Sequence, residues 1–229
     1  MILRCVIPLT LVLVTIFSQA QEKTSSEVLE KLREAQRLQQ ENHYSEALQK
    51  LDELEAAHPD IPDIYNLRGS IFMTPALRDF AEAEKNFAKA EQLRPEAIEP
   101  RFNKGELLFV KHEWAQAEAA FQKLLDDYPK LPLQIRHLTL YKRLVCEVKL
   151  GKFEAAEKTL KDHFTFMDDT PAYYFSHAAI AFGKTHEGEA KDWLARAEAI
   201  FKPAELTAYL DTLMEVRWVP NISLPFSEQ

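Results

Sequence analysis

The amino-acid sequence predicts an all-α fold made of stacked copies of one unit. Only five glycines occur in 229 residues, and β-branched runs are rare after Ala20. A short phrase also repeats: an aromatic or small residue, two residues, alanine, three residues, and a large apolar residue. The alanines of its five copies are Ala47, Ala83, Ala117, Ala156 and Ala190. Such an even spacing is typical of folds built from repeated units.

The repeated phrase itself predicts a helix. Residues 79–93 and 113–127 are rich in alanine, glutamate, leucine, lysine and glutamine, which are strong helix formers. Their apolar residues recur every three or four positions, which places them on one helical face. In the first segment these are Phe80, Ala83, Phe87, Ala90 and Leu93. An alanine on this face lets a neighbouring helix approach closely, and the large residue after it covers the next turn.

A second helical stretch precedes each phrase, so the predicted unit is a helix–turn–helix. These stretches are residues 62–73, 98–111, 132–150 and 171–183. Twelve positions after the first three alanines stands a proline: Pro59, Pro95 and Pro129. Proline cannot continue a helix but fits its first turn, so we expect each proline to end one unit and begin the next.

This pattern resembles the tetratricopeptide repeat, a helix–turn–helix of about 34 residues. The family's glycine is matched by Gly69 and Gly105, and residues 98–131 give the best copy with RFNKGELLF, WAQAEAAF and YP. The copies at 62–97 and 132–170 have extra residues, which lengthen an internal turn and a first helix. The resemblance implies a right-handed superhelical solenoid of about five repeats. The predicted repeats are 28–61, 62–97, 98–131, 132–170 and 171–204.

The C-terminal part predicts one more helix and an irregular tail. Residues 204–217 place Leu206, Tyr209, Leu210, Leu213 and Met214 on one side, and we expect this capping helix to cover the last repeat. Residues 218–229 contain two prolines and are predicted to be irregular. The repeat domain is therefore predicted to span residues 21–217.

The N-terminal segment, residues 1–20, has the layout of a secretory signal peptide. Arg4 precedes an apolar run from Cys5 to Phe17, and Ser18-Gln19-Ala20 is a suitable cleavage site. The run is shorter than the roughly 20 residues of a membrane-spanning helix. We therefore expect a protein exported to the periplasm or secreted, without stable membrane insertion after cleavage. The alternative is a membrane-tethered chain that keeps this segment.

Composition and motifs argue against several functional classes. The chain after Ala20 has 27 basic and 36 acidic residues, and a net charge of −9 does not favour nucleic-acid binding. The seven histidines show no metal-ligand spacing, and no phosphate-binding loop or nucleophile motif is present. Cys146 lies in an apolar run and is interpreted as a buried, inert thiol. No catalytic residue, metal or other cofactor is predicted, although an enzyme with an unrecognised site remains an alternative.

The resemblance also implies a binding site. In the tetratricopeptide family the first helices of the repeats face a concave groove that binds peptides or partner helices. Carried onto this sequence, three repeats would supply an exposed aromatic stripe with polar neighbours. The groove residues implied in this way are Phe102, Asn103, Glu106, Phe109, Tyr141, Lys142, Val145, Lys149, Phe175 and Phe182. Asn103 matches an asparagine that bonds ligands in peptide-binding members.

Other interpretations of the same residues stay open. The aromatic side chains could instead be buried between helices, and the chain's own tail, with Trp218, Leu224 and Phe226, could lie in the groove. Lys142 and Lys149 belong to a locally basic segment, 130–152, which would suit an acidic peptide or simply face solvent.

The sequence thus predicts a non-catalytic scaffold that binds a protein or peptide in the groove. The alternative is a structural oligomer that self-associates through the terminal repeat and the tail.

Overall fold

The computed structural model describes residues 26–220, and all regular secondary structure in that range is helical. The all-α repeat fold is therefore confirmed. The predicted signal peptide and the tail after residue 220 lie outside the described residues. The eleven helices in the described range are α1 (26–40), α2 (Tyr44–Ala57), α3 (Pro62–Met73), α4 (Phe80–Leu93), α5 (Ile98–Val110), α6 (Trp114–Asp127), α7 (Leu133–Lys149), α8 (Phe153–His163), α9 (Ala172–Gly183), α10 (Glu187–Glu198) and α11 (Pro203–Glu215).

These helices form two compact units, divided between Glu96 and Ala97. The N-terminal unit holds α1 to α4, and the C-terminal unit holds α5 to α11. Each unit has its own apolar core. The handedness of the superhelix and the repeat boundaries stay predictions. Among the described residues no helix combines the length and apolar character needed to cross a membrane.

The turn inside each repeat has a common geometry. The residue two positions before each second helix has a positive φ, between 45° and 73°. In four of the five turns, the next residue's N–H donates to the carbonyl five positions earlier, as from Glu113 to Leu108 at 2.9 Å. This closure satisfies a carbonyl at the end of the first helix and reverses the chain. The left-handed residues are Asn42, Arg78, His112, Gly151 and Thr185.

The repeats differ where the sequence predicted irregularity. The turn between α3 and α4 spans residues 74–79, whereas the turn between α5 and α6 spans only residues 111–113. Helix α7 is lengthened to 17 residues and begins directly after Pro132, as predicted.

A close contact between glycine and phenylalanine joins the two helices of the second and third repeats. A Cβ atom on Gly69 would lie 2.6 Å from the Phe87 ring, and one on Gly105 would lie 2.6 Å from the Phe121 ring. The fourth repeat has Leu144 and Leu160 at the corresponding positions, both buried. The paired helices thus meet through glycine and phenylalanine in two repeats and through two leucines in the fourth.

All five signature alanines are fully buried, as the repeat interpretation requires. The last helix, α11, packs against α7, α9 and α10. It therefore does more than cover the final repeat, and its position decides the character of the site described next.

Candidate functional site

The first helices of the last three repeats present one continuous face in the C-terminal unit. We call this surface the inner face and define it by the residues at equivalent repeat positions on α5, α7 and α9. Three or four positions separate successive members on a helix, so they share a side. They are Phe102, Glu106, Phe109, Tyr141, Val145, Val148, Phe175, Ala179 and Phe182.

Helix α11 covers this face. The Tyr209 ring lies 5.1 Å from the Tyr141 ring and 5.4 Å from the Phe175 ring, measured between centroids. The Tyr141 hydroxyl donates to the Tyr209 carbonyl at 3.3 Å. Leu213 of α11 is completely buried. The expectation of an exposed aromatic stripe is therefore corrected, because these rings are removed from water by the chain's own last helix.

The ten predicted groove residues fall into three classes of burial. Lys149 is exposed, and Phe102, Asn103 and Glu106 are partly buried. The other six are buried, each less than a tenth exposed: Phe109, Tyr141, Lys142, Val145, Phe175 and Phe182. The structure brings most of them together under α11, and their role in binding a partner stays a prediction.

A buried ion pair lies beneath α11. The Lys142 ammonium is 2.8 Å from a carboxylate oxygen of Glu106 and donates to the Thr212 hydroxyl at 2.9 Å. Burial raises the pKa of Glu106, and the attraction of Lys142 offsets this only in part. Among the described residues, none donates a hydrogen bond to Glu106 Oε1, which is also buried. An ion pair in such surroundings adds little net stability, since both groups lose hydration.

Two tryptophan rings flank the exposed Lys149 beside the end of α11. Its ammonium lies 5.5 Å from the Trp114 ring centroid and 5.4 Å from that of Trp218. Trp218 also stacks on Phe182 at 6.0 Å. The start of the tail therefore contacts the inner face, whereas Leu224 and Phe226, also considered as groove occupants, lie outside the described residues.

Sequence reasoning missed the residues of α11 that complete this site. Tyr209 and Leu213 were correctly placed on one apolar side, but Thr212 was not singled out. The docking of α11 itself could have been anticipated, because a helix with a full apolar side must be covered by something larger than the edge of one repeat. His112 is exposed, and its Nε2 lies 3.2 Å from Glu215 in α11.

Cys146 and His137 are two further polar residues buried in the C-terminal unit. Cys146 is buried, which raises the pKa of its thiol well above the ordinary value, as expected for an inert cysteine. The His137 ring nitrogen Nδ1 lies 2.8 Å from the Thr170 hydroxyl. In the part of the chain that the structure describes, no group of histidine, cysteine, aspartate and glutamate residues could hold a metal.

Each unit also has a cleft between successive second helices, floored by an arginine at the same repeat position. In the N-terminal unit a cleft of about 840 Å³ contains Arg68, which is bonded to Asp52 at 2.8 Å. In the C-terminal unit a cleft of about 480 Å³ contains Arg143, which is bonded to Gln122, the residue equivalent to Asp52. Both arginines therefore join one repeat to the previous one.

The N-terminal unit has a different inner face. At the positions equivalent to Phe102, Glu106 and Phe109 it carries Asn66, Ser70 and Met73, and α1 contributes Leu32, Gln36 and Gln39. The Gln39 amide donates to the Ser70 hydroxyl at 3.0 Å. All six side chains are partly buried or exposed. This face is therefore mostly polar and accessible, whereas its counterpart in the C-terminal unit is aromatic and covered.

A family model of the tetratricopeptide repeat matches residues 32–74 and 76–132. The chain contains tetratricopeptide repeats. Solved structures agree with this fold, and each is a likeness at low identity. The structure of PilW, described as a widely conserved type IV pilus biogenesis factor, has a TM-score of 0.62 at 19% identity, over 82% of this chain and 86% of PilW.

Two further solved structures cover the same share of the chain. PilF of Pseudomonas aeruginosa has a TM-score of 0.61 at 12% identity, with 84% of that chain covered. A thermophilic tetratricopeptide repeat protein of Thermus thermophilus has a TM-score of 0.61 at 18% identity, with 98% of that chain covered. No curated protein matches the sequence significantly. These likenesses establish the repeat fold.

Proposed function

We propose that this tetratricopeptide repeat protein is a non-catalytic scaffold that binds a partner protein. The observation that supports this most is the accessible inner face of the N-terminal unit. Amide and hydroxyl side chains line it, and these groups can both donate and accept hydrogen bonds. Such a surface suits an extended segment of a partner, whose backbone needs donors and acceptors at regular intervals.

Two amide side chains would make the main contacts with that segment. Gln36 and Asn66 belong to neighbouring first helices, at positions that face the same side of the unit. Replacing a hydrogen-bonding amide by alanine leaves the partner's polar group without a bond, which costs about 1–3 kcal/mol where the site is dry.

We also propose that the protein is exported. The support is the N-terminal sequence pattern, with one basic residue, an apolar run and a small-residue cleavage site. The likeness to PilW, a type IV pilus biogenesis factor, is compatible with an envelope assembly. Mass spectrometry of the protein recovered outside the cytoplasm tests this, since cleavage after Ala20 leaves Gln21 as the first residue.

The scaffold proposal can be tested by crosslinking the full chain in its own cells and identifying the captured proteins. A variant with Gln36→Ala and Asn66→Ala should lose the main partner. Gln116→Ala removes an exposed amide from the second helix of a repeat and serves as the matched control. If the unchanged chain, the double variant and the control variant all captured the main partner equally, this face would not be its binding site.

A second candidate function is self-association. Phe166 and Met167 are 67% and 77% exposed on the turn between α8 and α9, and Ile200 is 59% exposed after α10. The turn is held by Asp168, whose carboxylate accepts from the Thr165 N–H at 2.7 Å. Light scattering of the full chain and of a Phe166→Ser, Met167→Ser variant tests this. A larger particle that becomes monomeric in the variant supports self-association.

A further inference from the structure

We propose that the inner face of the C-terminal unit is a receptor for one amphipathic helix, which α11 occupies within the same chain. A partner helix with the residue pattern of α11 would replace it. This inference rests on the proposed binding function but concerns a different face from the one assigned above. The two can therefore fail independently.

The first support is the way α11 meets the face. Its contacting residues are spaced by three, three, one and three positions, which makes a single helical stripe. Each is 5% exposed or less: Leu206, Tyr209, Thr212, Leu213 and Val216. The other side of α11 faces solvent, with Ala204, Thr207 and Ala208 exposed. Helix α11 is thus an outer layer on the unit.

The helices behind α11 have partners of their own. Helices α5, α7 and α9 each pack against a second helix, α6, α8 and α10 respectively. Their signature contacts, such as Gly105 against Phe121, are made between the two helices of a pair and do not involve α11. Removal of α11 would therefore expose the inner face while leaving each helix pair intact.

The second support is the buried pair of Glu106 and Lys142. If α11 were only a permanent part of the core, apolar residues in place of this pair would make its packing more stable, because the two buried charges lose hydration. The pair instead gives Lys142 a fixed position from which it donates to a hydroxyl, that of Thr212. A single buried polar contact of this kind selects one register of a docking helix.

The rim of the face adds a charge requirement. His112 and Lys149 lie at the end of the face where α11 terminates, and Glu215 is bonded to His112 at 3.2 Å. The expected partner helix therefore has an aromatic residue, a threonine or serine three positions later, a leucine directly after it, and an acidic residue two positions beyond the leucine.

Helix α11 also carries its own start signal, which does not depend on docking. Pro203 is its first residue, and the Glu205 carboxylate accepts from the Lys202 N–H at 2.9 Å. Only the short segment 199–202 joins it to α10. It can thus move as a helix about that connection. Because α11 is tethered, its effective concentration at the inner face is high, and a helix from another protein must compete with it.

The test uses the full chain and a fluorescent synthetic peptide that copies residues 203–219. Leu213→Ala weakens the docking of α11 but leaves every receptor residue in place. The peptide can bind only those molecules in which α11 has left the inner face, and Leu213→Ala makes this open fraction larger. The peptide should therefore bind the variant at least about tenfold more tightly than the unchanged chain. Thr207→Ala, on the exposed side of α11, is the matched control and should behave like the unchanged chain.

Two further measurements make the result specific. A peptide with valine in place of the residue equivalent to Thr212 should bind the Leu213→Ala chain about tenfold less well, because Lys142 loses its acceptor. Hydrogen exchange on the unchanged chain should show α11 amides opening before those of α7 and α9.

The proposal is wrong if the Leu213→Ala chain, shown to be folded by circular dichroism, does not bind the peptide. It is also wrong if α11 exchanges only with global unfolding, which would make it a permanent part of the core. The hydrogen-exchange measurement decides the question even where Leu213→Ala fails to fold. Neither result bears on the Gln36 and Asn66 test of the scaffold proposal.

Discussion

Lys142 and Thr212 are 70 residues apart in sequence, and the Lys142 ammonium donates to the Thr212 hydroxyl at 2.9 Å. This bond joins the first helix of the fourth repeat to α11, the last helix of the described range. With the Tyr141–Tyr209 contact beside it, it fixes where α11 crosses the repeats. The surface that the repeat register marks as a groove is therefore filled in this chain.

The left-handed turns give a first prediction. Gly151 has φ +73°, and a Cβ atom there would meet nothing within 4 Å. Gly151→Ala should therefore destabilise the protein by about 1–2 kcal/mol through backbone conformation alone. Gly188, inside α10, also has open space, and Gly188→Ala should stabilise by up to about 1 kcal/mol. Urea denaturation of both variants checks the opposite signs, and equal signs would contradict this account of the turn.

The close packing of Gly105 against Phe121 gives a second prediction. Gly105→Ala should destabilise by about 1–3 kcal/mol, because the new methyl group overlaps the fully buried Phe121 ring. Adding Phe121→Leu should recover part of this loss, since the fifth repeat pairs Ala178 with Leu194 at the same positions. A double-mutant cycle on thermal unfolding measures the coupling. Additive losses would show that the two sites do not share space.

The pH dependence of stability gives a third prediction. Burial raises the pKa of Glu106 above the ordinary value of 4.5, so the folded chain holds this proton at pH values where the unfolded chain has lost it. Glu106 therefore favours folding at low pH, and its contribution falls as pH rises from 4.5 through the folded pKa. Glu106→Gln, which stays neutral, should match the unchanged chain in acid and exceed it in stability at neutral pH.

Unfolding midpoints measured across that pH range check this result. A Glu82→Gln variant, which changes an exposed pair with Lys85, serves as the control and should show little pH effect. A neutral-pH loss of stability in Glu106→Gln would mean that the attraction of Lys142 outweighs the burial of Glu106.

Tyrosine ionisation gives a fourth prediction. Burial of its ring against the inner face raises the pKa of Tyr209 to about 12, against an ordinary value of 10.0. Because the folded pKa is the higher one, stability from this residue is lost as pH rises from 10.0 towards about 12. Leu213→Ala should return the ionisation of Tyr209 towards its ordinary value. Near-ultraviolet absorbance, with a Tyr209→Phe variant to assign the signal, measures it, and an unchanged titration would show that α11 stays docked.

Much of the fold could be predicted because it depends on local spacing. The alanine phrase fixes which side of each second helix is buried, and the close approach of Gly105 to Phe121 follows from the same pattern. The long turn at 74–79 and the lengthened α7 were also visible, since extra residues between periodic segments must be accommodated somewhere. These features depend on contacts within one repeat.

The grouping of the site residues could be predicted from the sequence, but their burial could not. The repeat register correctly grouped Phe109, Tyr141 and Phe175 on one face, but burial of that face depends on a helix that begins only at Pro203. An aromatic side chain has the same appearance in sequence whether it faces solvent or a covering helix. Thr212 gave no signal, because a lone threonine in a helix has no distinctive spacing.

By itself, the sequence determined the helical repeat, its register and the places where the register shifts, since these follow from helical periodicity and from the sizes of facing residues. Three-dimensional packing, in contrast, covers the aromatic face of the C-terminal unit and leaves the mostly polar face of the N-terminal unit accessible. The hydrophobic effect favours covering apolar area with any surface that lies near it in space, and here α11 covers α7. Because these two helices are far apart in the chain, no sequence periodicity indicates their contact.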